Sequence, residues 1–359
     1  MGVSRIRQLL AFFTLAVFAA AFIYCVGDDV GASSGSLPDG GTDANGGGND
    51  ANDNNDTGSG NNDAATDAGT DADADAAPRC SGDAGWGTPE IVGELNSNDN
   101  SRDFCARLSS DELTAYFTSN RYRDAGDTGG YPGFDIFKAG RMLPTGTFGT
   151  PARIPPSFFT PNLTANPPDL CPTVTADGTK MYIDTYQPGR SIYLATKTGN
   201  DFTNPTAVSA INNGGGENGT PYVLPDNTRI YFTSSRVGSK FDLYYSDIQS
   251  GLVAAAVPVN GVNDATYADM FPVATANDLT LYFGSSRDNA GYNFDIFVAT
   301  RASTGDDFGN VTKLPASINA YGDGGVTANY PSYVTADECI LYFTRTTSGK
   351  DTIWRVKKN

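Results

Sequence analysis

Apolar strand-like segments alternate with polar turns throughout residues 86–359. The clearest example is 281–301, LYFGSSRDNAGYNFDIFVATR, which predicts two β-strands joined by a polar loop. Both faces of its first strand are apolar, which predicts that this strand is buried on both sides. Similar segments recur at 113–141, 181–197, 230–247 and 340–357. Five copies of a strand pair, roughly fifty to sixty residues apart, predict the blades of a β-propeller.

Each copy extends to a four-strand unit, whose strands we label a to d from the inside of the propeller outwards. Strand a precedes the pair, at 102–112, 169–178, 217–227, 269–278 and 328–338, and strand d follows it, at 148–155, 202–208, 252–258 and 308–315. The sequence stops after strand c of the fifth unit, but an additional strand d, WGTPEIV at 86–92, stands before the first unit. The sequence therefore predicts an all-β fold: a five-bladed propeller closed by an N-terminal strand on the last blade. Closure removes the open sheet edges that would invite aggregation.

The repeated unit, DxxPxxxxDxxxLYFxSxR…FDIYxA, resembles the WD40-like, TolB-type β-propeller repeats of bacterial envelope proteins. The resemblance covers about residues 86–359 and is best in the first, third and fourth units. It implies a propeller that binds or scaffolds, and it implies no substrate.

The first 25 residues have the pattern of an export signal. Two arginines are followed by an apolar run from Leu9 to Val26, which is a charged region followed by a hydrophobic one. Cys25 at the end of the run favours a lipoprotein anchored through that residue. Cleavage after Ala21 and an uncleaved membrane anchor are the alternatives. We expect an exported protein of the cell envelope, lipid-anchored in the outer membrane and facing the periplasm or the cell surface.

Residues 26–78 consist almost entirely of Asp, Asn, Gly, Ala, Thr and Ser, with no Lys, Arg or Glu. Such a segment has too little apolar surface to fold, so it is predicted to be a disordered linker that tethers the folded residues 79–359. The linker also carries most of the net charge of −17, and the folded part carries only about −7. That charge argues against nucleic acid as a partner.

Four cysteines follow the signal, and an even number in an exported protein predicts disulfides. Cys105 and Cys171 occupy the same register in adjacent blades, which predicts a bond between them, with free thiols as the alternative. Cys80 and Cys339 would then pair by elimination. The sequence has no His and no CxxC pair, so no zinc or haem site and no cofactor is expected. A structural cation bound by central acidic residues is an open alternative.

Charged residues recur at fixed positions of the repeat. Arginines near the end of strand b accompany aspartates at the start of strand c, which predicts an ion pair between these strands in three blades: Arg121 with Asp135, Arg236 with Asp242, and Arg287 with Asp295. A ring of ligand-binding arginines is the alternative. Acidic residues also precede strand a in four blades, namely Asp103, Asp169, Glu217 and Asp269. Their even repetition favours capping over catalysis, since a glycosidase needs two carboxylates in different environments.

Asp184 breaks the repeat and is the single candidate for chemistry. The equivalent residues in the other units are Thr118, Thr233, Gly284 and Thr344. We interpret Asp184 as drift at a partly exposed position and do not assign it a catalytic role. A Ser-His-Asp arrangement is excluded because the sequence has no His.

The loops after strands b and d emerge on one face of a propeller, and here they are the long and variable ones. We call this the long-loop face, and the opposite one the short-turn face. Loops of this kind usually carry binding. The long-loop face is predicted to present seven aromatic residues: Tyr122, Tyr131, Phe158, Phe159, Tyr267, Tyr292 and Tyr321. Aromatics among amides suit sugars or peptides.

Our leading hypothesis is a tethered, non-enzymatic propeller that binds an envelope protein or a polysaccharide. The alternatives are a glycan-active enzyme that uses Asp184 with an inner acidic residue, and a purely structural surface-coat protein.

Overall fold

The computed structural model describes most of the residues that follow Pro78, with short gaps. The described ranges are 79–81, 85–121, 133–154, 168–186, 189–288, 293–320 and 325–359. The protein divides into Met1–Thr70, which lies wholly outside these ranges, and Asp71–Asn359, which contains all the strands given below. The predicted signal, Cys25 and the predicted linker therefore lie outside the described residues. Within those ranges, no helix is long and apolar enough to cross a bilayer.

Five small antiparallel sheets form the blades. The strands in sequence order are β1 Glu90–Ile91; in blade 1, β2 Asp103–Leu108, β3 Thr114–Ser119, β4 Asp135–Gly140 and β5 Ala152–Arg153; in blade 2, β6 Asp169–Val174, β7 Lys180–Tyr186, β8 Arg190–Thr198 and β9 Asp201–Ala207; in blade 3, β10 Asn218–Val223, β11 Arg229–Ser234, β12 Asp242–Gln249, β13 Leu252–Val253 and β14 Val257–Pro258; in blade 4, β15 Asp269–Ala274, β16 Thr280–Ser285, β17 Asp295–Thr300 and β18 Gly309–Lys313; and in blade 5, β19 Val326–Val334, β20 Ile340–Thr347 and β21 Lys350–Lys357. The described connections include a 3₁₀-helix at Gly93–Leu95 and an α-helix at Ser209–Asn212.

The inner strands contact one another in a closed cycle, β2 to β6, β10, β15, β19 and back to β2. The fifth blade is completed by β1, which pairs with β21 through Glu90 opposite Arg355 and Ile91 opposite Trp354. A further bridge joins Trp86 to Lys358. The predicted five-bladed propeller, closed by an N-terminal strand on the last blade, is confirmed.

The second strand of blades 2 to 5 is buried on both faces, as its sequence predicts, and in blade 1 Tyr116 is half-buried. In blade 4, Leu281 and Phe283 are fully buried and Tyr282 is 4% exposed. Leu281 and Phe283 point to one neighbouring sheet and Tyr282 points to the other, because successive side chains of a strand alternate between faces. The apolar triplets of the blades are therefore the packing layer between sheets.

Every inner strand is interrupted by a β-bulge that displaces its pairing with strand b. In four blades a residue of the bulge has positive φ: Cys105, Cys171, Thr220 and Phe271. The fifth blade has Pro331 at the equivalent position, and the proline ring does not permit a positive φ. The bulge turns this residue out of the regular ladder, which matters for the contacts between blades described below.

Both predicted disulfides are present. Cys105 and Cys171 join the bulges of blades 1 and 2 with Cα atoms 4.9 Å apart, and Cys80 bonds Cys339 with Cα atoms 5.5 Å apart. The free-thiol alternative for Cys105 and Cys171 is wrong.

Candidate functional site

The repeated arginines do not bond the aspartates predicted as their partners. In blade 4 the guanidinium of Arg287 lies over the rings of Phe283 and Phe297, 5.3 and 5.0 Å from their centroids. Its Nε donates to Ser285 Oγ at 2.8 Å, and its Nη2 donates to Asp269 Oδ1 at 2.9 Å. The arginine therefore braces strands a, b and c together. Its carboxylate partner is the residue that begins the inner strand.

The other two arginines repeat this arrangement, and the three predicted pairs are corrected as follows. Arg121 donates to Asp103 at 2.5 Å, and Arg236 donates to Asn218 at 2.8 Å. The strand-c aspartates instead contact other cations: Asp135 contacts Arg153 of β5, Asp242 contacts Lys240 in the loop before β12, and Asp295 contacts Lys313 of β18. The length of the arginine side chain explains this choice of partner. The arginine stands two residues beyond the end of strand b, and its side chain extends over the aromatic rings of strands b and c to the inner strand.

Blade 5 has the same brace from a different sequence position. Arg345 lies inside β20, and its Nε donates to Asn329 Oδ1 at 2.9 Å while its guanidinium stacks 4.6 Å from the Trp354 ring centroid. The repeat alignment places Thr347 at the arginine position, so sequence reasoning missed this brace. Arg345 is opposite Thr352, whereas in blade 4 the residue opposite the strand-c aspartate is Ser285. An arginine displaced by two residues was the available signal.

The inner-strand residue equivalent to Asp269 is a carboxylate in three blades and an amide in two. The five structurally equivalent residues are Asp103, Asp169, Asn218, Asp269 and Asn329. The predicted member Glu217 is wrong by one residue: Asn218 holds the position, and the backbone N–H of Glu217 bonds Ser235 Oγ. An amide oxygen accepts from a guanidinium but supplies no charge. Burial consequently lowers the pKa of Arg236.

Asp169 is the exception among these five residues. It is 6% exposed, its Oδ1 has no hydrogen-bond partner, and none of the described arginines forms an ion pair with it. Burial, followed by the charges of Asp135 and Asp184, raises the pKa of Asp169 well above its usual range, and nearby Arg153 offsets this only in part. Burial and the neighbouring carboxylates thus favour the protonated form of Asp169.

Replacing Asp169 by asparagine should stabilise the protein increasingly as the pH rises. Because the pKa of Asp169 is raised on folding, the native state binds the extra proton, and the wild type loses stability between about pH 4 and the folded-state pKa. The advantage of Asp169→Asn should grow there by up to about 1.4 kcal/mol per pH unit. Urea unfolding of both proteins from pH 4 to 8 measures it. An advantage independent of pH would contradict the assignment.

Asp184 lies at a contact between blades, where it accepts the same hydrogen bond as the threonines at the equivalent positions of other blades. Threonine hydroxyls accept hydrogen bonds from the backbone N–H of the bulge residue in the next blade: Thr344 from Cys105 at 3.1 Å, Thr118 from Cys171 at 2.9 Å, and Thr233 from Phe271 at 3.3 Å. At the boundary of blades 2 and 3 the acceptor is Asp184 Oδ1, which bonds the N–H of Thr220 at 3.0 Å. A series of hydrogen bonds therefore joins four of the five blade boundaries.

The fifth boundary lacks both members of this hydrogen bond. Gly284 has no side chain to accept it, and Pro331 in the next blade has no N–H to donate. The rings of Phe271 and Tyr330 stack there instead, with centroids 4.0 Å apart and planes 19° apart. A Cβ on Gly284 would lie 3.3 Å from Tyr330 Cβ, so the glycine also makes room for the stack.

The interpretation of Asp184 as partly exposed is wrong, since its side chain is fully buried. Its Oδ2 also accepts a hydrogen bond from Arg190 Nε at 2.5 Å. Burial raises its pKa, and Arg190 and the N–H of Thr220 counteract that rise. Both carboxylate oxygens are thus occupied by groups of the propeller itself.

The axis beside these residues is filled with apolar side chains. Phe104, Leu170 and the Cys105–Cys171 disulfide pack together, and Phe271 packs against them. Asp103 and Asp269, at the same end of the inner strands, are fully buried. Within the described ranges, no three Asp, Glu or Cys side chains are grouped to hold a metal ion.

Two exposed apolar residues mark the described part of the long-loop face. Tyr267, in the loop before β15, is 39% exposed, and Val237, in the loop between β11 and β12, is 68% exposed. These loops flank the same sector of the propeller, at blades 3 and 4. The other predicted face residues lie outside the described residues: Tyr122, Tyr131, Phe158, Phe159, Tyr292 and Tyr321.

No family model matches this protein, and no curated protein matches it. The resemblance of the repeats to the WD40-like family therefore stays a prediction. Solved structures with a similar fold include TolB from Acinetobacter baumannii, with 13% identity, a TM-score of 0.41 and coverage of 72% of this chain. This chain spans 54% of that TolB.

Other solved structures of similar fold are carbohydrate-active enzymes. The α-L-arabinofuranosidase of Podospora anserina has 11% identity, a TM-score of 0.46, and coverage of 77% of this chain and 97% of its own. The β-1,2-mannobiose phosphorylase of Listeria innocua has 11% identity, a TM-score of 0.48, and coverage of 75% and 94%. At these identities the likeness concerns the fold alone.

Proposed function

We propose that this protein is a tethered, extracytoplasmic propeller that binds an envelope protein or glycan through its long-loop face and catalyses no reaction. The observation that supports this most is the state of the inner acidic residues. Asp103 and Asp269 are bound by arginines of their own blades, and Asp184 is bound by Arg190. A glycosidase needs carboxylates that face its substrate, whereas these three brace the blades.

The point where the linker joins the propeller also supports binding through the long-loop face. Arg79 donates to Glu112 and Asp337, which lie in the turns between strands a and b of blades 1 and 5. These turns belong to the short-turn face, and the Cys80–Cys339 disulfide holds the backbone there. Arg79 and Cys80 therefore lie on the short-turn face and leave the described part of the long-loop face uncovered.

Crosslinking from a photoreactive amino acid in living cells tests whether the long-loop face contacts the partner. Placed at Tyr267, it should form a discrete covalent adduct with a partner, because that residue is exposed on the long-loop face. The matched control is Leu143, which is 63% exposed in a c–d turn on the short-turn face and should form none. Equal adducts from both positions, or an adduct from Leu143 alone, would contradict the proposal.

Once the partner is isolated, Val237→Ser combined with Tyr267→Ala should weaken binding about 10- to 100-fold. Two apolar anchors of an interface commonly contribute this much, whereas exposed residues change folding stability little. Calorimetric titration measures the affinity, and Met142→Ser on the short-turn face, where the side chain is 91% exposed, is the control. Unchanged affinity in the double variant would exclude this sector as the contact.

A glycan-active enzyme is the second candidate, and Asp169 is the observation that favours it. A buried carboxyl with a raised pKa has the property required of a general acid. Release of reducing sugar from envelope polysaccharides by the wild type, and its loss in Asp169→Asn, would establish this candidate. Hydrolysis that survives in the variant would exclude Asp169 as the acid.

A further inference from the structure

The inner strands carry a second ring of equivalent residues beyond the bulge, towards the short-turn face. Each member stands opposite the central tyrosine of strand b in its blade. The five members are Arg107, Thr173, Tyr222, Val273 and Tyr333. Arg107 is the only charged residue in this ring. A buried charge at the axis of a propeller needs a compensating group.

The guanidinium of Arg107 has no such group among the described residues. The residue is 2% exposed, and its Nε and Nη1 have no hydrogen-bond partner. The ring of Tyr222 lies 5.2 Å from its Cζ and supplies a cation–π contact, which leaves the N–H groups unsatisfied.

The carboxylates nearest to this region are already engaged. Asp184 acts on Arg107 electrostatically, but its two oxygens bond Arg190 and the N–H of Thr220. Glu112 in the turn of blade 1 is bound through both oxygens by Arg79. Neither carboxylate forms an ion pair with Arg107. The positive charge at the axis is therefore not neutralised by the described part of the protein.

A small cavity lies beside this guanidinium at the short-turn end of the axis. It has a volume of about 20 Å³, and its polar lining comes from Arg107, Ser110, Thr173, Tyr222 and Tyr333. A cavity of this size accommodates one species about as large as a water molecule. Thr173 Oγ1 already accepts a long hydrogen bond from the N–H of Val223, at 3.3 Å. Ser110 Oγ donates to Ala176 O at 2.9 Å, so the unpaired donors of the cavity are those of Arg107.

We propose that this cavity binds a single small inorganic anion, of the size of chloride, through Nε and Nη1 of Arg107. A guanidinium in this position requires a negative charge, and space for one water-sized species favours a small anion. Burial lowers the pKa of Arg107 to about 10, so the group stays cationic at neutral pH but is destabilised there. An anion offsets that cost and ties blade 1 to the facing blades. The site is independent of the proposed partner-binding function, which uses the opposite face.

Thermal unfolding of the full-length protein tests this at constant ionic strength, with sodium chloride replacing sodium gluconate, whose anion is much larger than chloride. Chloride at ten times its dissociation constant shifts the folding equilibrium by a factor of about eleven, which corresponds to a rise in Tm of roughly 2–3 °C. Arg107→Met should abolish the rise. Lys138→Met removes an equal charge from the surface, where Lys138 contacts Asp201, and should retain the rise.

Crystals of the wild-type protein soaked in bromide provide a second measurement that needs no variant. An anomalous peak should appear in the cavity, within hydrogen-bonding distance of Arg107 Nε. A Tm that responds equally to chloride in Arg107→Met and wild type would overturn the proposal. So would a cavity without bromide in crystals where the halide occupies other sites.

Discussion

Replacing Asp184 by alanine should lower the free energy of unfolding by about 3–5 kcal/mol, the cost typical of breaking a buried ion pair by removing one partner. Asp184 is fully buried and joins two groups at the boundary of blades 2 and 3: Arg190 through Oδ2 and the N–H of Thr220 through Oδ1. The alanine variant leaves the guanidinium of Arg190, which is 8% exposed, without its carboxylate. It also leaves the N–H without its acceptor.

Asp184→Thr separates the contribution of the ion pair with Arg190 from that of the hydrogen bond with the N–H of Thr220. Threonine is the residue of blades 1, 3 and 5 at this position, and its hydroxyl there accepts the N–H of the next bulge. It should restore the contact between blades and leave Arg190 unpaired, so we expect an intermediate loss. Adding Arg190→Met to Asp184→Thr should recover much of the remainder, because the buried charge is removed as well.

Urea unfolding of the wild type, Asp184→Thr, Arg190→Met and the double variant, with coincident fluorescence and circular dichroism transitions, gives the coupling energy between residues 184 and 190, and Asp184→Ala is measured beside them. A loss below about 1 kcal/mol in Asp184→Ala would contradict a bracing role. If Asp184→Thr kept full stability while polysaccharide hydrolysis disappeared, Asp184 would instead be a catalytic residue.

The blades were predictable because the residues that build them are repeated and apolar. The triplet around Tyr282 predicts a strand buried on both faces, and the unpaired strand near Ile91 predicts how the ring closes. These inferences depend only on the two-residue period of a strand and on counting strands. Neither requires the position of an individual side chain.

The contacts between side chains were not predictable in the same way. The prediction of Glu217 followed the acidic residue nearest to the start of the strand, whereas the strand pairing places Asn218 at the position of Asp269. The arginines co-occur with strand-c aspartates because both belong to the same repeat, and co-occurrence does not reveal a contact. Arg287 contacts Asp269 because its side chain passes over two rings, which only the fold shows.

The role of Asp184 could not be inferred from its sequence pattern either. A unique acidic residue in a repeat suggests chemistry. In every blade except blade 4, which has Gly284, the side chain at this position accepts a hydrogen bond from an N–H of the neighbouring blade. Opposite Gly284, blade 5 has Pro331, which lacks the N–H that the other blades donate. Both residues are visible in the sequence, but their pairing has meaning only once Gly284 and Pro331 are known to face each other. Contacts between repeats are therefore the part that an alignment of the repeats leaves out.

Removing the Cys80–Cys339 disulfide should also cost the protein about 3–5 kcal/mol, measured as the change in free energy of unfolding of Cys80→Ser/Cys339→Ser under oxidising conditions. The bond spans 259 residues, so it restrains the unfolded state strongly in the loop-entropy account. The bond also reinforces the short strand pairing that closes the propeller, because β1 contributes only two residues, Glu90 and Ile91, to the last blade.

The Cys105–Cys171 bond is the matched control, because it spans only 66 residues and joins two blades that their inner strands already hold together. In the loop-entropy account its removal should cost about 1 kcal/mol less than removal of the closing bond. Proteolysis separates the two variants further. Without Cys80–Cys339, the N-terminal strand can detach from β21, so cleavage near Trp86 should accelerate while the blades stay folded. Equal stability and equal cleavage in the two variants would show that the pairing of β1, the Trp86–Lys358 bridge and the Arg79 ion pairs suffice to close the ring.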